Sequence, residues 1–228
     1  MEDLWRPLLI AGACIAVLAI LYHTVIRPWH LRWGTIDDEA TRTLPGDDFA
    51  PETNLPATHA ISINASAEVI WPWLVQMGQG RGGFYSYTWL ENLVGCQMKN
   101  ANEIVSEWQH LEVGDPISLH PKAPRLKVIV LEEHRALVLG GRPEEASDNE
   151  TERKRWEKYS QSVFSWAFVL NERSEDHTRL IVRAKGHIGV GWKASLMNYL
   201  TGEPAHFIME RKMLLGIKRR IEQTRRET

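Results

Sequence analysis

GEPAHFIMERKMLLGI, residues 202 to 217, is the stretch whose reading decides the fold. Pro204 suits the first turn of a helix, where its missing N–H would have had no partner, and the spacing predicts a long helix from about Glu203 to Arg225. At 100° per residue Phe207, Met213, Leu214, Ile217 and Ile221 fall on one face, so that face must be covered by apolar structure. His206 and Glu210, four residues apart, lie on the same face, with Glu203 one turn before them. A carboxylate aimed at a core must be neutralised, paired or reached by water, because burying it alone is costly. Two readings stand side by side. In one, His206 and Glu210 form a hydrogen-bonding or acid/base pair at the floor of a cavity and are the candidate catalytic residues. In the other, Glu210 makes a structural ion pair with Arg81 or Arg183 that fixes the helix on a sheet. Metal ligation by Glu203, His206 and Glu210 has weak support, since no second histidine has matching spacing; no metal and no cofactor are expected.

Upstream of this helix the pattern changes to short apolar or alternating runs at Pro116 to Leu119, Leu126 to Leu131, Ala136 to Gly140, Ser162 to Leu170 and Thr178 to Lys185, separated by charged turns. These read as an antiparallel meander. A further strand is expected at 58 to 64, where Ile61 and Ile63 alternate with Ser62 and Asn64. Ser66 is placed to cap a helix from Ala67 to Met77, with Glu68 in its first turn, and a second helical stretch covers about 85 to 95. The insert from Arg142 to Lys158 is almost wholly charged and reads as a mobile loop with Trp156 as its docking point. A short helix is expected near 192 to 200. The order of elements implies an α+β fold in which a curved sheet packs on the last helix.

The run Gly78, Gly80, Gly82 and Gly83 follows a helix, not a strand, and lacks a Gly-Lys-Ser/Thr ending, so it is not a phosphate loop. It reads as a sharp turn that folds Phe84, Tyr85, Tyr87 and Trp89 over the mouth of a cavity, with Arg81 available to a polar ligand end.

At the other end of the chain, the twenty residues from Pro7 to Ile26 carry no formal charge between Arg6 and Arg27. As a helix at about 1.5 Å per residue they cover the roughly 30 Å hydrocarbon core of a bilayer, and Trp5 and Trp29 stand where indoles favour the interface. A cleaved signal peptide is opposed by the dozen apolar residues after Ala11-Gly12-Ala13, and a buried core helix is the remaining alternative. Arg27 and Arg32 set against Arg6 favour the cytoplasmic side for the rest of the chain. Residues 1–32 are therefore read as an anchor with its flanks and 58–228 as the folded domain. Residues 33–57, acidic and broken by Pro45, Pro51 and Pro56, are read as a linker that Trp33 and Leu44 could dock on the domain.

The formal net charge of -2 gives no field for recruiting nucleic acid. With Cys14 inside the apolar run, Cys96 has no partner for an intrachain disulfide in the domain. Ten tryptophans suggest a core or cavity with aromatic walls. The basic residues near the end of the last helix, Lys218, Arg219 and Arg220 among them, read as a solvated face or as a contact for anionic headgroups.

The segments WPWLVQMGQGRGGFYSYTWLENLVG (71 to 95), GEPAHFIMERKMLLGI (202 to 217) and RWGTIDDEATRTLPGD (32 to 47) resemble the bacterial branch of the START-like, or helix-grip, superfamily, which includes polyketide cyclases/dehydrases and lipid-transfer proteins. The resemblance implies a curved antiparallel sheet wrapped around the C-terminal helix, enclosing a hydrophobic cavity that in many members holds a lipid, sterol, hormone or polyketide; the ligand expected here is a lipid, isoprenoid or polyketide-like molecule. It carries over no catalytic residue. The expected ligand-binding set is Arg81, Phe84, Tyr85, Tyr87, Trp89, Trp166, His206 and Glu210. The expected role is a membrane-anchored binding or transfer protein for a hydrophobic small molecule; the alternatives are a cyclase/dehydratase-type enzyme using His206 and Glu210, and a non-catalytic interaction module.

Overall fold

The computed structural model describes the chain from Trp5 to Glu227 apart from residues 52, 54–55, 146–149, 158 and 188–190. Helix α1 (Trp5–Leu21) continues through a π-helical turn, Tyr22–Ile26, into α2 (Arg27–Leu31). The stretch Pro7–Leu31 is long and apolar enough to cross a membrane, and its most apolar part is not buried against the rest of the protein.

Among the described residues six strands follow: β1 (Ala57–Ile63), β2 (Pro116–Ile117), β3 (Leu126–Glu132), β4 (Ala136–Gly141), β5 (Val163–Ser174) and β6 (His177–His187). They form one antiparallel sheet in the order β1-β6-β5-β4-β3-β2. Helices α3 (Ala67–Val75) and α4 (Thr88–Leu93) lie between β1 and β2. Helix α5 (Glu150–Glu157) precedes β5. Helix α6 (Trp192–Met197), a second π-helical turn at Asn198–Gly202 and the long α7 (Glu203–Glu227) close the chain.

Strand periodicity divides the residues between two cores. Trp166, Phe168 and Leu170 on β5 and Leu180, Val182 and Ala184 on β6 face inward, where Met213, Leu214, Ile217 and Ile221 of α7 cover them. The intervening Ala167, Val169 and Ile181 build a smaller outer cluster with Ala60, Val138 and Leu44. Leu44 belongs to the segment expected to be a linker. That segment is instead a strap across the outer face of the sheet, docked as Leu44 suggested but far more extensively. Glu39, fully buried, receives two hydrogen bonds from Arg179 at 2.9 and 2.6 Å. Arg183 donates to Asp47 Oδ2 at 2.6 Å and to the carbonyls of Arg42 and Glu39. The acidic residues thus neutralise two arginines that point out of β6 in phase with Ile181, since a buried guanidinium needs such partners. The free edge of β1 is also covered, because Ala60 N–H donates to the Trp33 carbonyl. Glu52 lies outside the described residues.

Two other expectations change. The charged insert contains α5, whose i,i+3 and i,i+4 pairs Glu152–Arg155 and Glu150–Lys154 support a helix, with Trp156 buried as expected and Arg125 bound to Glu152; residues 146–149 and 158 lie outside the described set. Ser66 occupies the N-cap of α3 without a side-chain bond, and Glu172 of β5 accepts the Ala67 N–H instead, at 3.1 Å. The stretch 85 to 95 is helical only over Thr88–Leu93.

Candidate functional site

Between the first half of α7 and the inner face of β5 lies a cavity of about 200 Å³. Phe84, Met98, Leu119, Phe164 and Met213 supply its apolar wall, and Trp166, Glu91, His206 and Glu210 its polar groups. The helical face read from the sequence accounts for the floor: α7 presents His206, Glu210 and Met213 within two turns of one another.

Glu210 is the electrostatic centre. It is 2 % exposed, its Oε2 accepts a hydrogen bond from Trp166 Nε1 at 3.1 Å, and its Oε1 lies 3.0 Å from His59 Nδ1. His59 is on β1, inward in phase with Ile61 and Ile63, and its Nε2 is 2.7 Å from the backbone oxygen of His30. A carbonyl only accepts, so Nε2 carries a hydrogen, and the Nδ1 contact with Glu210 needs one further proton shared between ring and carboxyl. His206 Nε2 makes a close ion-pair contact with Glu210 Oε2 at 2.7 Å. Burial alone would raise the Glu210 carboxyl; the His206 and His59 rings override it and bring it down to about 2. Burial would likewise lower His206, and the Glu210 charge overrides it and raises the ring above its ordinary value.

The ligand atoms of His59, His206 and Glu210 lie within 4.8 Å of one another. Two imidazoles and a carboxylate of this kind can store and relay a proton, and they are also a donor set that suits a divalent transition metal. This is not the triad that helical spacing suggested. Glu203 turns away from the cavity and takes a bidentate hydrogen bond from Arg27, at 2.7 and 2.9 Å. Neither Arg81 nor Arg183 pairs with Glu210.

Of the expected ligand-binding residues, the fold brings Phe84, Trp166, His206 and Glu210 to one cavity. Phe84 and Trp166 stack at 5.6 Å between ring centroids. The others lie elsewhere. Arg81 folds back from the glycine turn and donates to the carbonyls of Val75 and Trp108, holding the loop shut. Tyr85 is 1 % exposed and lies outside the cavity lining, with its hydroxyl donating to the Trp73 carbonyl and accepting from Gln76. Tyr87 is half-buried beneath Lys212, and Trp89 is exposed to 70 %. The headgroup contact expected at the end of α7 loses support: Lys218 donates to the Ser62 carbonyl and Arg220 to the Ala101 carbonyl, leaving Arg219 exposed.

Sequence reading missed Glu91, which lines the cavity, and His59, which stands behind Glu210 without lining it. The Glu91 carboxyl, on α4, has its Oε2 buried without a hydrogen-bond partner, and burial raises its pKa. The cavity therefore holds two carboxyls shifted in opposite directions.

No family model matches the chain, and no curated protein matches it. Solved structures do. The self-sacrificing resistance protein CalC from Micromonospora echinospora is 12% identical at a TM-score of 0.40, over 74% of this chain and 94% of its own. A point mutant of norcoclaurine synthase from Thalictrum is 14% identical at 0.38, with the same two coverages, 74% and 94%. A polyketide-cyclase-like protein from Corynebacterium glutamicum is 15% identical at 0.32, over 75% and 93%. The architecture itself is read from the strand order and the placement of α7: six antiparallel strands curved around a C-terminal helix over an apolar cavity, which is the helix-grip fold.

Proposed function

We propose that this chain is a membrane-anchored binding or transfer protein for a hydrophobic small molecule that carries one hydrogen-bond donor. The observation that carries this reading is the cavity: apolar walls around two carboxyls, one ionised and held by its own partners, the other, Glu91, buried with an oxygen left over. An unpaired buried acceptor costs about 1 to 3 kcal/mol, and a ligand hydroxyl or amine would remove that cost. At about 200 Å³ the cavity is below the roughly 300 to 1,000 Å³ usual for drug-sized ligands. It fits a ring system or the end of one chain, not a whole diacyl lipid.

The test is native mass spectrometry of the full chain released from lipid nanodiscs. The wild type should retain a small molecule, and Met213→Trp, which fills the cavity, should lose it. A wild type that is empty and takes up nothing from the surrounding lipid overturns the proposal.

A second reading is favoured by the opposed carboxyls. Environments that push two pKa values apart are how acid and base roles are assigned in one site, so Glu91 would donate a proton while Glu210 with His206 accepts one, as in a cyclase or dehydratase. Under that reading Glu91→Gln retains a bound species of different mass from the wild type, since the unreacted molecule accumulates. Under simple binding the species is the same and its occupancy falls.

A further inference from the structure

The N-terminal helix and the C-terminal helical run lie side by side and run in the same direction. Tyr22 Oη donates to the Tyr199 carbonyl at 3.2 Å, His23 Nδ1 lies 3.1 Å from Tyr199 Oη, Arg27 grips Glu203, and Trp29 packs on Phe207 at 5.4 Å between centroids. Each step along one helix is matched by an equal step along the other, and both carry their π-helical turn at this level, Tyr22–Ile26 beside Asn198–Gly202. Tyr199 is thereby pinned to the last turns of the apolar span.

The residues before Tyr199 continue toward the bilayer, and several of their apolar side chains are exposed. Trp192, Leu196, Met197 and Leu200 are 73, 46, 60 and 56 % exposed. Trp192, Leu196 and Leu200 recur every fourth residue along one side of the helix, the pattern of an amphipathic surface. The residues of α1 at the same level are exposed as well, so α6 diverges from the span instead of packing along it. Lys193 is the one charged side chain from Trp192 to Gly202; its ammonium lies 5.7 Å from the Trp192 ring centroid, and its flexible stem suits it to reach headgroups.

We infer that helix α6 and the turn that follows it form a second membrane contact, with Trp192, Leu196, Met197 and Leu200 seated at the boundary between headgroups and acyl chains beside the end of the span. The occupant of this apolar face is the lipid of the bilayer that holds Pro7–Ile26. The inference rests on the span being inserted, as in the proposed function. It also orients the cavity. His206, which lines the cavity, is two turns beyond Tyr199, about 10 Å along the helix axis, so this end of the cavity stands just above the lipid surface, where a bilayer-resident molecule can enter without crossing water.

The experiment uses the full chain in phosphatidylcholine vesicles, with Cys14 and Cys96 replaced by serine and an environment-sensitive fluorophore on one introduced cysteine at a time: Ile15→Cys in the span, Leu196→Cys in α6 and Glu175→Cys on the far β5–β6 turn. Lipids carrying a nitroxide near the glycerol backbone should quench the probe at 196, while nitroxides deep in the chains quench the probe at 15 and neither quenches 175. A quenched probe at 15 with 196 as unquenched as 175 overturns the inference and leaves the span intact. An unquenched probe at 15 overturns both. The introduced cysteine at 196 is exposed and should not alter folding, which circular dichroism of each labelled protein checks.

Discussion

Replacing Glu210 by glutamine is the most informative single change, because it reverses the sign of one pH effect. In the wild type the carboxyl moves from 4.5 unfolded to about 2 folded. At 1.36 kcal/mol per pH unit this is about 3 kcal/mol of stability. A depressed acid contributes fully above its unfolded value, so this share is present above 4.5 and is lost as the pH falls toward 2. The His206 ring is raised above 6.5, so its share is complete below 6.5 and is lost as the pH rises through the folded value. The wild type should therefore be most stable between 4.5 and 6.5 as far as this pair is concerned. In Glu210→Gln the carboxylate is gone and only burial acts on His206, which favours the neutral ring. The variant should gain stability as the pH rises through 6.5, where the wild type loses it. Near pH 6 the loss should be about 3 kcal/mol, the lower end for breaking a buried pair, since the amide oxygen still accepts from Trp166. Urea denaturation of the full chain in detergent, followed by tryptophan fluorescence from about pH 3 to about pH 9, measures the difference between the two proteins. A variant whose stability falls above pH 6.5 in parallel with the wild type refutes the reasoning.

Two further changes probe the scaffold. A Cβ on Gly216 would run into the backbone oxygen of Tyr85, a residue already at φ +57°, so Gly216→Ala should cost more than the gain of about 1 kcal/mol that alanine brings to a helix interior; an unchanged or raised melting temperature would contradict the close approach. Arg27→Ala leaves Glu203, 2 % exposed, without its bidentate partner, and should cost about 1 to 3 kcal/mol; the double variant Arg27→Ala with Glu203→Gln should recover part of that loss, and no recovery would mean the pair is not what couples the helices.

The α7 face was legible because its evidence is local: one period of 3.6 placed His206, Glu210 and the apolar residues together. His59 had a signal of the same quality, since a period of two puts it in phase with Ile61 and Ile63, but starting the strand pattern at its isoleucines left the histidine unread. Glu91 had none, because α4 is six residues long and too short to show a face. The strap was hidden for a different reason. Its acidic residues look like a solvated linker until they are set against Arg179 and Arg183, some 140 positions away in the chain, whose place in the strand alternation needed an acid on the outer face. Arg81, Tyr85 and Trp89 were misplaced because the glycine turn was read as a hinge for aromatic side chains; its paired hydrogen bonds between Gly78 and Gly83 make it a closed clasp instead.

The strap also bears on how the molecule can be cut and recombined. A recombinant fragment starting at residue 58 would begin inside β1, strip Leu44 from the outer cluster and leave Arg179 and Arg183 beside bare apolar surface, so it would be expected to aggregate. The end of the apolar N-terminal helix is part of the same packed unit, since Arg27 and Trp29 contact Glu203 and Phe207. Exchanging the helix before it for another would have to preserve the chain from Tyr22 onward to leave the fold whole.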